Sequence, residues 1–181
     1  MKRFILTGAP GSGKISILRQ LEVDGFGVVE EAATDVIALA QARGVGEIWT
    51  DPAFLDAIVS LQRERQLRAA SAPDKIQFHD RSAICTAALA EYLGYPITSA
   101  LASEVERIKT EKTFENRVFF VRSLGFVART EARRISLEDT LRFEQIHERT
   151  YRSHKFEFVF VEAGSVADRV ATIKRVAGIG K

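Results

Sequence analysis

Short apolar runs alternate along this chain with longer segments in which apolar residues recur at helical spacing. The apolar runs predict five buried strands, at residues 3–7, 28–30, 75–79, 118–121 and 156–161. The segments of helical spacing predict helices at residues 14–21, 31–42, 52–70, 82–93, 99–108, 137–151 and 166–176. Because strands that alternate with helices are joined by crossover connections, this order predicts an α/β fold of three layers, with a five-stranded parallel sheet and helices on both faces.

The first predicted strand leads into a glycine-rich segment. Gly8, Gly11 and Gly13 allow backbone angles that residues with a Cβ rarely adopt, so the chain can curl and point successive N–H groups into one concavity. The helix that begins at Lys14 adds unpaired N–H groups and the positive end of its dipole, and the Lys14 ammonium can reach the β and γ phosphates of a nucleotide. The alternative is a glycine-rich turn that binds nothing. The predicted nucleotide-binding residues of this segment are Gly8, Ala9, Pro10, Gly11, Ser12, Gly13, Lys14, Ile15 and Ser16.

Position 15 departs from the usual phosphate-loop pattern, in which Ser or Thr follows the lysine. An isoleucine side chain at Ile15 offers no oxygen, whereas Mg²⁺ binds oxygen ligands. Ser16 is a poor substitute, because consecutive helical residues are rotated by about 100° around the helix axis. Three interpretations stay open: Mg²⁺ held by water and the substrate phosphates, nucleotide binding with weakened catalysis, or a sequence variant.

The composition predicts one compact domain over residues 1–181. A chain of 181 residues that is 46% hydrophobic supports one substantial core, but is too short for two comfortable domains. The net charge of +2 is too small to predict a nucleic-acid or membrane partner, and no apolar run has the length needed to span a bilayer. The single cysteine, Cys85, excludes an internal disulfide and is expected to be a core thiol. We therefore expect a cytoplasmic protein without nucleic-acid or membrane partners.

Asp80 and Arg81 follow the third predicted strand, at the edge where ligands bind in parallel α/β sheets. The Asp80 carboxylate is a candidate to orient a Mg²⁺-bound water, as the tentative metal residue, or to accept a hydroxyl proton in catalysis. Arg81 is a candidate to bind a phosphate oxygen. The alternative is that Asp80 caps the next helix, for which Ser82 is another candidate, and that Arg81 is solvated. His79 alternates out of phase with Asp80 and is expected to pack locally.

Two acids, Glu30 and Glu31, stand at the end of the second predicted strand. An acid at this point can act as a general base toward an acceptor hydroxyl, and neighbouring charges can adjust its pKa for that task. The alternative is that these acids favour the start of the following helix through its dipole. Of the two, Glu31 is the predicted catalytic residue, because junctions between strands and helices commonly carry site residues.

Residues 122–134 contain four arginines and one glutamate, between the fourth predicted strand and a long helix. Guanidinium groups in such a segment can close over a transferred phosphoryl group and stabilise the charge on its oxygens. We expect a lid over about residues 123–136, with Arg129 and Arg133 as catalytic contacts. The alternative is a solvated helix face with exposed ion pairs, formed by Glu131, Arg134, Glu138 and Arg142.

Several segments together resemble a known family: GAPGSGK in the loop, EEAATDVI after the second strand, FHDRS after the third, and the late runs RTEARRISLEDTLRFEQIHERTYR and FEFVFVEAGSVADRV. Over nearly the whole chain they resemble the small AAA-type predicted ATPases of the P-loop superfamily. The resemblance implies a P-loop NTPase fold with kinase-like strand order, close to nucleoside and nucleotide kinases, including ribosylnicotinamide kinase domains. It implies a monomer or homodimer that binds ATP or GTP with Mg²⁺. The residues that it implies are Gly8, Gly11, Gly13 and Lys14 for phosphate, Asp80 and Arg81 as the acid and arginine pair, and Arg129 and Arg133 in the lid.

One further position departs from this family: Thr34 stands where members often have an arginine, in the helix after Glu31. Loss of a Mg²⁺ ligand together with a substrate arginine favours a degenerate kinase more than either change alone. Two functions therefore stay open. One is kinase-like phosphoryl transfer from ATP to a hydroxyl or phosphate of an unknown small molecule, or ATP hydrolysis. The other is a regulatory module that binds ATP or GTP with weak or no catalysis.

Aromatic residues are further candidates to contact a small-molecule acceptor. Trp49, Phe78 and Phe126 can each stack on a substrate ring. The alternative for each is ordinary packing in the core, which is the commoner role of such residues.

Overall fold

The computed structural model describes residues 1–9, 11–123 and 137–179. Its strands are β1 (Lys2–Thr7), β2 (Gly27–Val29), β3 (Ile76–Asp80), β4 (Arg117–Val121) and β5 (Glu157–Val161). Its α-helices are α1 (Lys14–Val23), α2 (Ala32–Ala42), α3 (Ala53–Ala69), α4 (Ala83–Leu93), α5 (Ser99–Thr110), α6 (Leu137–Ser153) and α7 (Val166–Val176). All of the predicted strands and helices are present, with small shifts at their ends. A short 3₁₀-helix at Ile48–Thr50, before α3, was not predicted.

The five strands form one parallel sheet in the order β2-β3-β1-β4-β5. The order confirms the α/β prediction and the kinase-like topology that the family resemblance implies. In register, Leu6 of β1 lies opposite Asp80 of β3, and Val29 of β2 lies opposite His79. The carboxyl ends of β1, β2 and β3 therefore meet at one edge of the sheet, which is where ligands bind in this class of fold.

Apolar residues on both faces of β1 explain why helices cover the sheet on two sides. Phe4 and Leu6 pack with side chains from α1 and α7, whereas Ile5 packs with side chains from α3, α4, α5 and α6. Successive residues of a strand point to opposite faces, so an uninterrupted apolar run requires a cover on each face. Fully burying each such side chain contributes about 1.5–3 kcal/mol relative to leaving it exposed.

In the described part of the chain, no helix combines the length and hydropathy that crossing a membrane requires. Cys85 is a buried free thiol in the core between the sheet and α4, as predicted. The predicted lid at about residues 123–136 lies, apart from Ser123, outside the described residues.

Candidate functional site

The loop between β1 and α1 passes close against the end of β4, and glycine is required for that path. Gly8 has a φ of +134°, and a Cβ at this position would lie 2.3 Å from the carbonyl oxygen of Val121. Gly13 has a φ of +86° and occupies the N-cap position of α1. Positive φ of this kind is rarely adopted by residues with a Cβ. The loop therefore has the conformational demands that its glycine spacing predicts.

Lys14 folds back over this loop instead of extending into solvent. Its Nζ donates hydrogen bonds to the carbonyl oxygens of Gly8 and Ala9, both at 3.1 Å. Burial lowers the pKa of Lys14 from 10.5 to about 8, and the positive charge of Arg81 acts in the same direction. Among the described residues, no carboxylate forms an ion pair with Lys14. The ammonium is thus a buried cation held by carbonyl dipoles, and a phosphate in the loop would stabilise its charge.

Position 15 offers no metal ligand in the folded protein. Ile15 is 55% exposed, so the core does not require an apolar side chain there. Both Ile15 and the exposed Ser16 line the cavity beside the phosphate loop. The isoleucine therefore stands at the site itself, where it replaces an oxygen ligand by an exposed apolar group.

Arg81 and Glu31 form an ion pair at the centre of the site. Arg81 Nε lies 2.5 Å from Glu31 Oε1, in an ion pair that lacks the alignment of a hydrogen bond. Glu31 Oε2 accepts a hydrogen bond of 2.8 Å from Thr34 Oγ1. Burial would raise the pKa of Glu31, but the positive charges of Arg81 and Lys14 and the hydrogen bond from Thr34 outweigh burial, and its pKa is lowered. Glu31 is therefore ionised near neutral pH and able to accept a proton.

Asp80 is the last residue of β3, and it lines the cavity beside the phosphate loop. Ser82, not Asp80, caps α4: Ser82 Oγ accepts a hydrogen bond of 3.3 Å from the N–H of Ile84. Asp80 Oδ1 is buried and has no hydrogen-bond partner among the described residues. Burial raises the pKa of Asp80 and the charge of Glu31 adds to this, against the opposing effect of Lys14 and Arg81. The two acids are thus driven apart in pKa, a pattern typical of sites that divide roles between carboxylates.

The structure separates Glu30 from Glu31. The side chain of Glu30 is largely exposed and accepts a hydrogen bond of 2.7 Å from Arg19 Nη2 on α1. The backbone carbonyl groups of both acids accept hydrogen bonds from Arg65 Nη1, at 3.1 Å for Glu30 and 2.6 Å for Glu31. This support from α3 holds the junction that aims Glu31, and not Glu30, at the cavity.

A cavity of about 530 Å³ joins the phosphate loop to the acids and continues into an apolar chamber. The end at the loop is lined by Gly11, Gly13, Lys14, Ile15 and Ser16, and its centre by Glu31, Thr34, Asp80 and Arg81. Most of the other lining residues are apolar, and they enclose the part of the cavity that we call the chamber: Ile37, Trp49, Phe54, Ile58, Gln62, Thr86, Leu89, Leu93 and Phe143. The residues predicted from three separate strand ends thus meet in one space, whereas most of the arginine-rich segment after the fourth strand lies outside the described residues.

The candidate stacking residues have different positions. Trp49 lies in the 3₁₀-helix and lines the chamber. Phe78 is fully buried among Phe4, Phe26 and Phe119, so it belongs to the core. Of the two, only Trp49 is placed to contact a ligand.

Sequence reasoning missed the polar groups that helices bring to this region. In the chamber, Thr86 Oγ1 donates a hydrogen bond of 3.0 Å to Gln62 Oε1. Arg169 on α7 donates from Nη2 to the carbonyl oxygens of Ser12, at 2.9 Å, and Arg122, at 3.1 Å. His147 on α6 contacts Arg81. Each is a single polar residue on a helix, and no local motif assigned it a role, although His147 and Arg169 lie within segments that resemble the family.

Several predicted residues cannot be placed beside these groups. Pro10, Phe126, Arg129 and Arg133 lie outside the described residues. Arg122, at the start of the arginine-rich segment, is described: its guanidinium carbon lies 4.2 Å from the centroid of the Phe160 ring. This stacking on β5 is a cation–π contact.

The residues that are present fit a nucleotide better than they fit Mg²⁺. The glycines at positive φ, the buried ammonium of Lys14 and the start of α1 form an anion site. For Mg²⁺, Ile15 supplies no ligand, whereas Asp80 supplies a buried oxygen without a hydrogen-bond partner in the described part of the chain. In that part no group of three or more His, Cys, Asp or Glu side chains could hold a metal ion. A divalent ion here would depend on water, on Asp80 and on the nucleotide phosphates, because Mg²⁺ commonly keeps several waters.

Solved structures share this fold at low sequence identity. A deoxyadenosine kinase from M. mycoides, with the products dCMP and a flexible dCDP bound, matches with a TM-score of 0.65 and 12% identity, over 97% of this chain and 98% of that one. The NadR protein, in complex with NAD and AMP-PNP, matches with a TM-score of 0.70 and 15% identity, over 99% of this chain. The match covers 50% of the NadR chain, so this protein corresponds to about half of NadR. At such identities the matches establish the P-loop kinase fold alone.

Sequence comparison adds the family. No curated protein sequence matches the chain. The sequence profile described as "AAA domain" matches residues 3–169, which is most of the chain. The match includes the phosphate loop, Glu31, Asp80 and Arg169. The chain therefore belongs to this AAA-domain family of P-loop proteins and has a kinase-like fold.

Proposed function

We propose that this protein is a small-molecule kinase, which transfers the γ-phosphoryl group of ATP, or of GTP, to the hydroxyl of a compact acceptor that carries a ring. The observation that carries the proposal is the continuous cavity from Lys14 through Glu31 and Asp80 to the chamber. An enzyme that only hydrolyses ATP needs room for one water beyond the γ-phosphate, whereas this space extends past the acids between α2, α3 and α4. In this proposal residues 1–181 form one domain, which acts as a monomer or a homodimer.

The chemistry follows from the positions of the charged groups. The N–H groups of the loop and the Lys14 ammonium hold the β and γ phosphates. Glu31 accepts the proton of the acceptor hydroxyl. The hydroxyl oxygen forms a bond to the γ phosphorus while the bond between that phosphorus and the β-phosphate oxygen breaks. Arg81 stabilises the charge on the transferred group. Asp80 would supply an oxygen to the water shell of a divalent ion, if one binds. Mg²⁺, when bound, neutralises charge on the β and γ phosphates.

The chamber favours a nucleoside-like acceptor. Its walls are apolar and aromatic, and they include Trp49 and Phe54. The hydrogen-bonded pair of Gln62 and Thr86 adds polar groups within these walls, as sites for flat heterocycles often do. Solved structures of similar fold hold dCMP in the deoxyadenosine kinase and NAD or NR in NadR, which supports the same class of acceptor here.

A second candidate function is a nucleotide-binding regulatory module that turns over slowly or not at all. The exposed apolar side chain of Ile15 at the metal position favours it. The loss of one Mg²⁺ ligand weakens phosphoryl transfer more than it weakens binding through Lys14 and the loop N–H groups.

Calorimetry and a turnover assay separate the two functions. Binding of ATP and GTP is measured with and without Mg²⁺, and ADP release from ATP is followed with deoxyadenosine and with nicotinamide riboside as acceptors. A kinase shows ADP release that either acceptor stimulates. If Mg²⁺ leaves the affinity unchanged and no acceptor stimulates turnover, the regulatory module stands instead. Lys14→Ala is expected to abolish binding, and unchanged affinity in this variant would contradict both functions.

A further inference from the structure

We propose that His147 is a positioning residue, which holds the guanidinium of Arg81 at the cavity from the side opposite Glu31. The contact is direct: Arg81 Nη1 lies 3.2 Å from His147 Nε2. The expected effect on turnover rests on the proposed kinase function, whereas the contact itself can be tested without it.

Arg81 has an unusual backbone conformation that calls for outside support. Its φ is +72°, a left-handed value that residues with a Cβ seldom adopt. Its N–H donates a hydrogen bond of 3.0 Å to the carbonyl oxygen of Leu6, which fixes the backbone at the end of β1. Non-glycine residues in such conformations cluster at functional sites, where their surroundings hold them in place. The side chain therefore leaves the strand end in a direction that the contacts around it must maintain.

The hydrogen bonds of His147 determine its tautomer. Its Nδ1 lies 3.0 Å from the carbonyl oxygen of Phe143, one turn earlier in α6. A carbonyl oxygen only accepts, so Nδ1 must carry the proton, and Nε2 presents a lone pair. Arg81 Nη1 can only donate, so the contact is a hydrogen bond from the guanidinium to a neutral imidazole. The arrangement satisfies both ring nitrogens of a side chain that is 0% exposed.

Charge and packing also support a neutral His147 that accepts a hydrogen bond from Arg81. Burial lowers the pKa of His147 to about 3, and the positive charge of Arg81 acts in the same direction, so the imidazole is neutral at working pH. The Phe143 ring also packs against the guanidinium, with 5.8 Å from Arg81 Cζ to its centroid. Glu31 binds Arg81 from α2, while Phe143 and His147 bind it from α6. Nη2 makes no hydrogen bond to the described residues, and it is the group left for a phosphate oxygen.

Helix α6 is itself anchored beneath the site. Tyr151, one turn beyond His147, is fully buried, and its hydroxyl lies 3.0 Å from both Ser82 Oγ and Cys85 Sγ. These contacts fix the height of α6 against α4 and against Ser82, the residue after Arg81. His147 thus holds Arg81 at a fixed position relative to α6. With the Glu31 contact alone, the guanidinium could turn toward α2.

The test compares three variants and uses NMR with turnover. His147→Leu removes the acceptor at similar volume, and His147→Gln returns an acceptor oxygen. His79→Leu is the matched control, because His79 is also neutral and buried, but it lies in β3 and its ring packs against Phe114 instead of Arg81. The side-chain ¹⁵N–¹H signals of Arg81 report rotation of its guanidinium, and Arg81→Lys assigns them. The readouts on the functional side are kcat with deoxyadenosine or nicotinamide riboside, and the dissociation constant of ATP.

We expect separate, slowly exchanging Nη signals of Arg81 in the wild type, averaged signals in His147→Leu and recovery in His147→Gln. We also expect kcat to fall about tenfold in His147→Leu, with ATP affinity within about twofold, and to recover in the Gln variant. Unchanged Arg81 signals in His147→Leu, or equal changes in His79→Leu, would overturn the proposal. If the wild type turns over no acceptor, the kinase function fails, and the Arg81 signals still decide whether His147 holds this arginine.

Discussion

Arg169 Nη2 donates a hydrogen bond of 2.9 Å to the carbonyl oxygen of Ser12, across 157 positions of the chain. In a trans peptide unit the C=O and the following N–H point in opposite directions. A fixed Ser12 carbonyl therefore fixes the N–H of Gly13, which lines the cavity. The second hydrogen bond of Arg169, to the carbonyl of Arg122, ties the same loop to the end of β4. The conformation of the phosphate loop thus depends on a helix near the other end of the sequence.

Replacing Arg169 is predicted to damage both stability and nucleotide binding. Arg169→Met keeps the stem but removes the donor to the buried Ser12 carbonyl and to the part-buried Arg122 carbonyl, which costs about 2–4 kcal/mol of unfolding free energy. The affinity for ATP should fall about tenfold, because the loop N–H groups lose their fixed orientation. Urea denaturation and calorimetry measure the two effects. Arg169→Lys keeps one donor and should lose less stability and less ATP affinity. A Met variant with wild-type affinity would show that nucleotide binding does not depend on the hydrogen bond to the Ser12 carbonyl.

Glu31 is predicted to matter for turnover, and Glu30 is not. Glu31→Gln keeps the hydrogen bond from Thr34 but cannot take a proton, so kcat with an acceptor should fall by about 10²–10⁴. The dissociation constant of ATP should change by less than about threefold, because Lys14 and the loop hold the phosphates. Glu30→Gln is the matched control, since the side chain of Glu30 is 57% exposed and pairs with Arg19. Equal losses in both variants would assign the effect to general charge and not to a base.

The part of the site that could be predicted from sequence lies where the chain is locally regular. Strand ends follow from apolar runs, and Gly8, Gly13 and Lys14 follow from a spacing whose backbone requirements are local. Asp80 and Glu31 were found because they directly follow predicted strands in a parallel sheet. In such a sheet the residues after neighbouring strands meet at one edge.

The residues that were missed act through tertiary contacts. Gln62, Thr86, His147 and Arg169 lie on four different helices, and each looks like an ordinary polar residue of an amphipathic segment. Their roles depend on which helix face meets which loop, and periodicity gives the face but not the partner. The Glu31–Arg81 ion pair was missed for the same reason, because the left-handed backbone of Arg81 turns its side chain toward α2.

Acid is predicted to destabilise the protein through two buried histidines. Burial lowers the pKa of both His79 and His147 to about 3, below the usual 6.5 of an unfolded chain. The unfolded state therefore binds more protons, so stability present above pH 6.5 is lost as the pH falls toward 3. Between pH 7 and pH 5 each histidine should cost about 2 kcal/mol of unfolding free energy. Urea denaturation of His79→Leu should show a shallower fall with pH than the wild type, and parallel curves would contradict the assignment.

Nucleotide binding is predicted to take up a proton at pH 8. With a pKa of about 8, Lys14 is about half neutral there in the free protein, and bound phosphates raise that pKa. Uptake should therefore approach half a proton for each MgADP bound at pH 8, and should vanish at pH 6, where Lys14 is already charged. Calorimetry in buffers of different ionisation enthalpy measures this quantity. Proton release at pH 8 would contradict a buried, partly neutral lysine.

Ile15→Thr is predicted to make ATP binding or turnover depend more strongly on Mg²⁺. The side chain is half exposed, so the change removes no core packing, and it returns a hydroxyl oxygen at the position that borders the loop and the acids. The gain in ATP affinity on adding Mg²⁺ should rise about tenfold over that of the wild type, or kcat should rise at equal affinity. Ile15→Val is the control, because it keeps the branched shape without the oxygen and should behave as the wild type. If Thr and Val behave alike while Asp80→Asn abolishes the Mg²⁺ response, the ion is held from β3 and by water, and residue 15 does not limit catalysis.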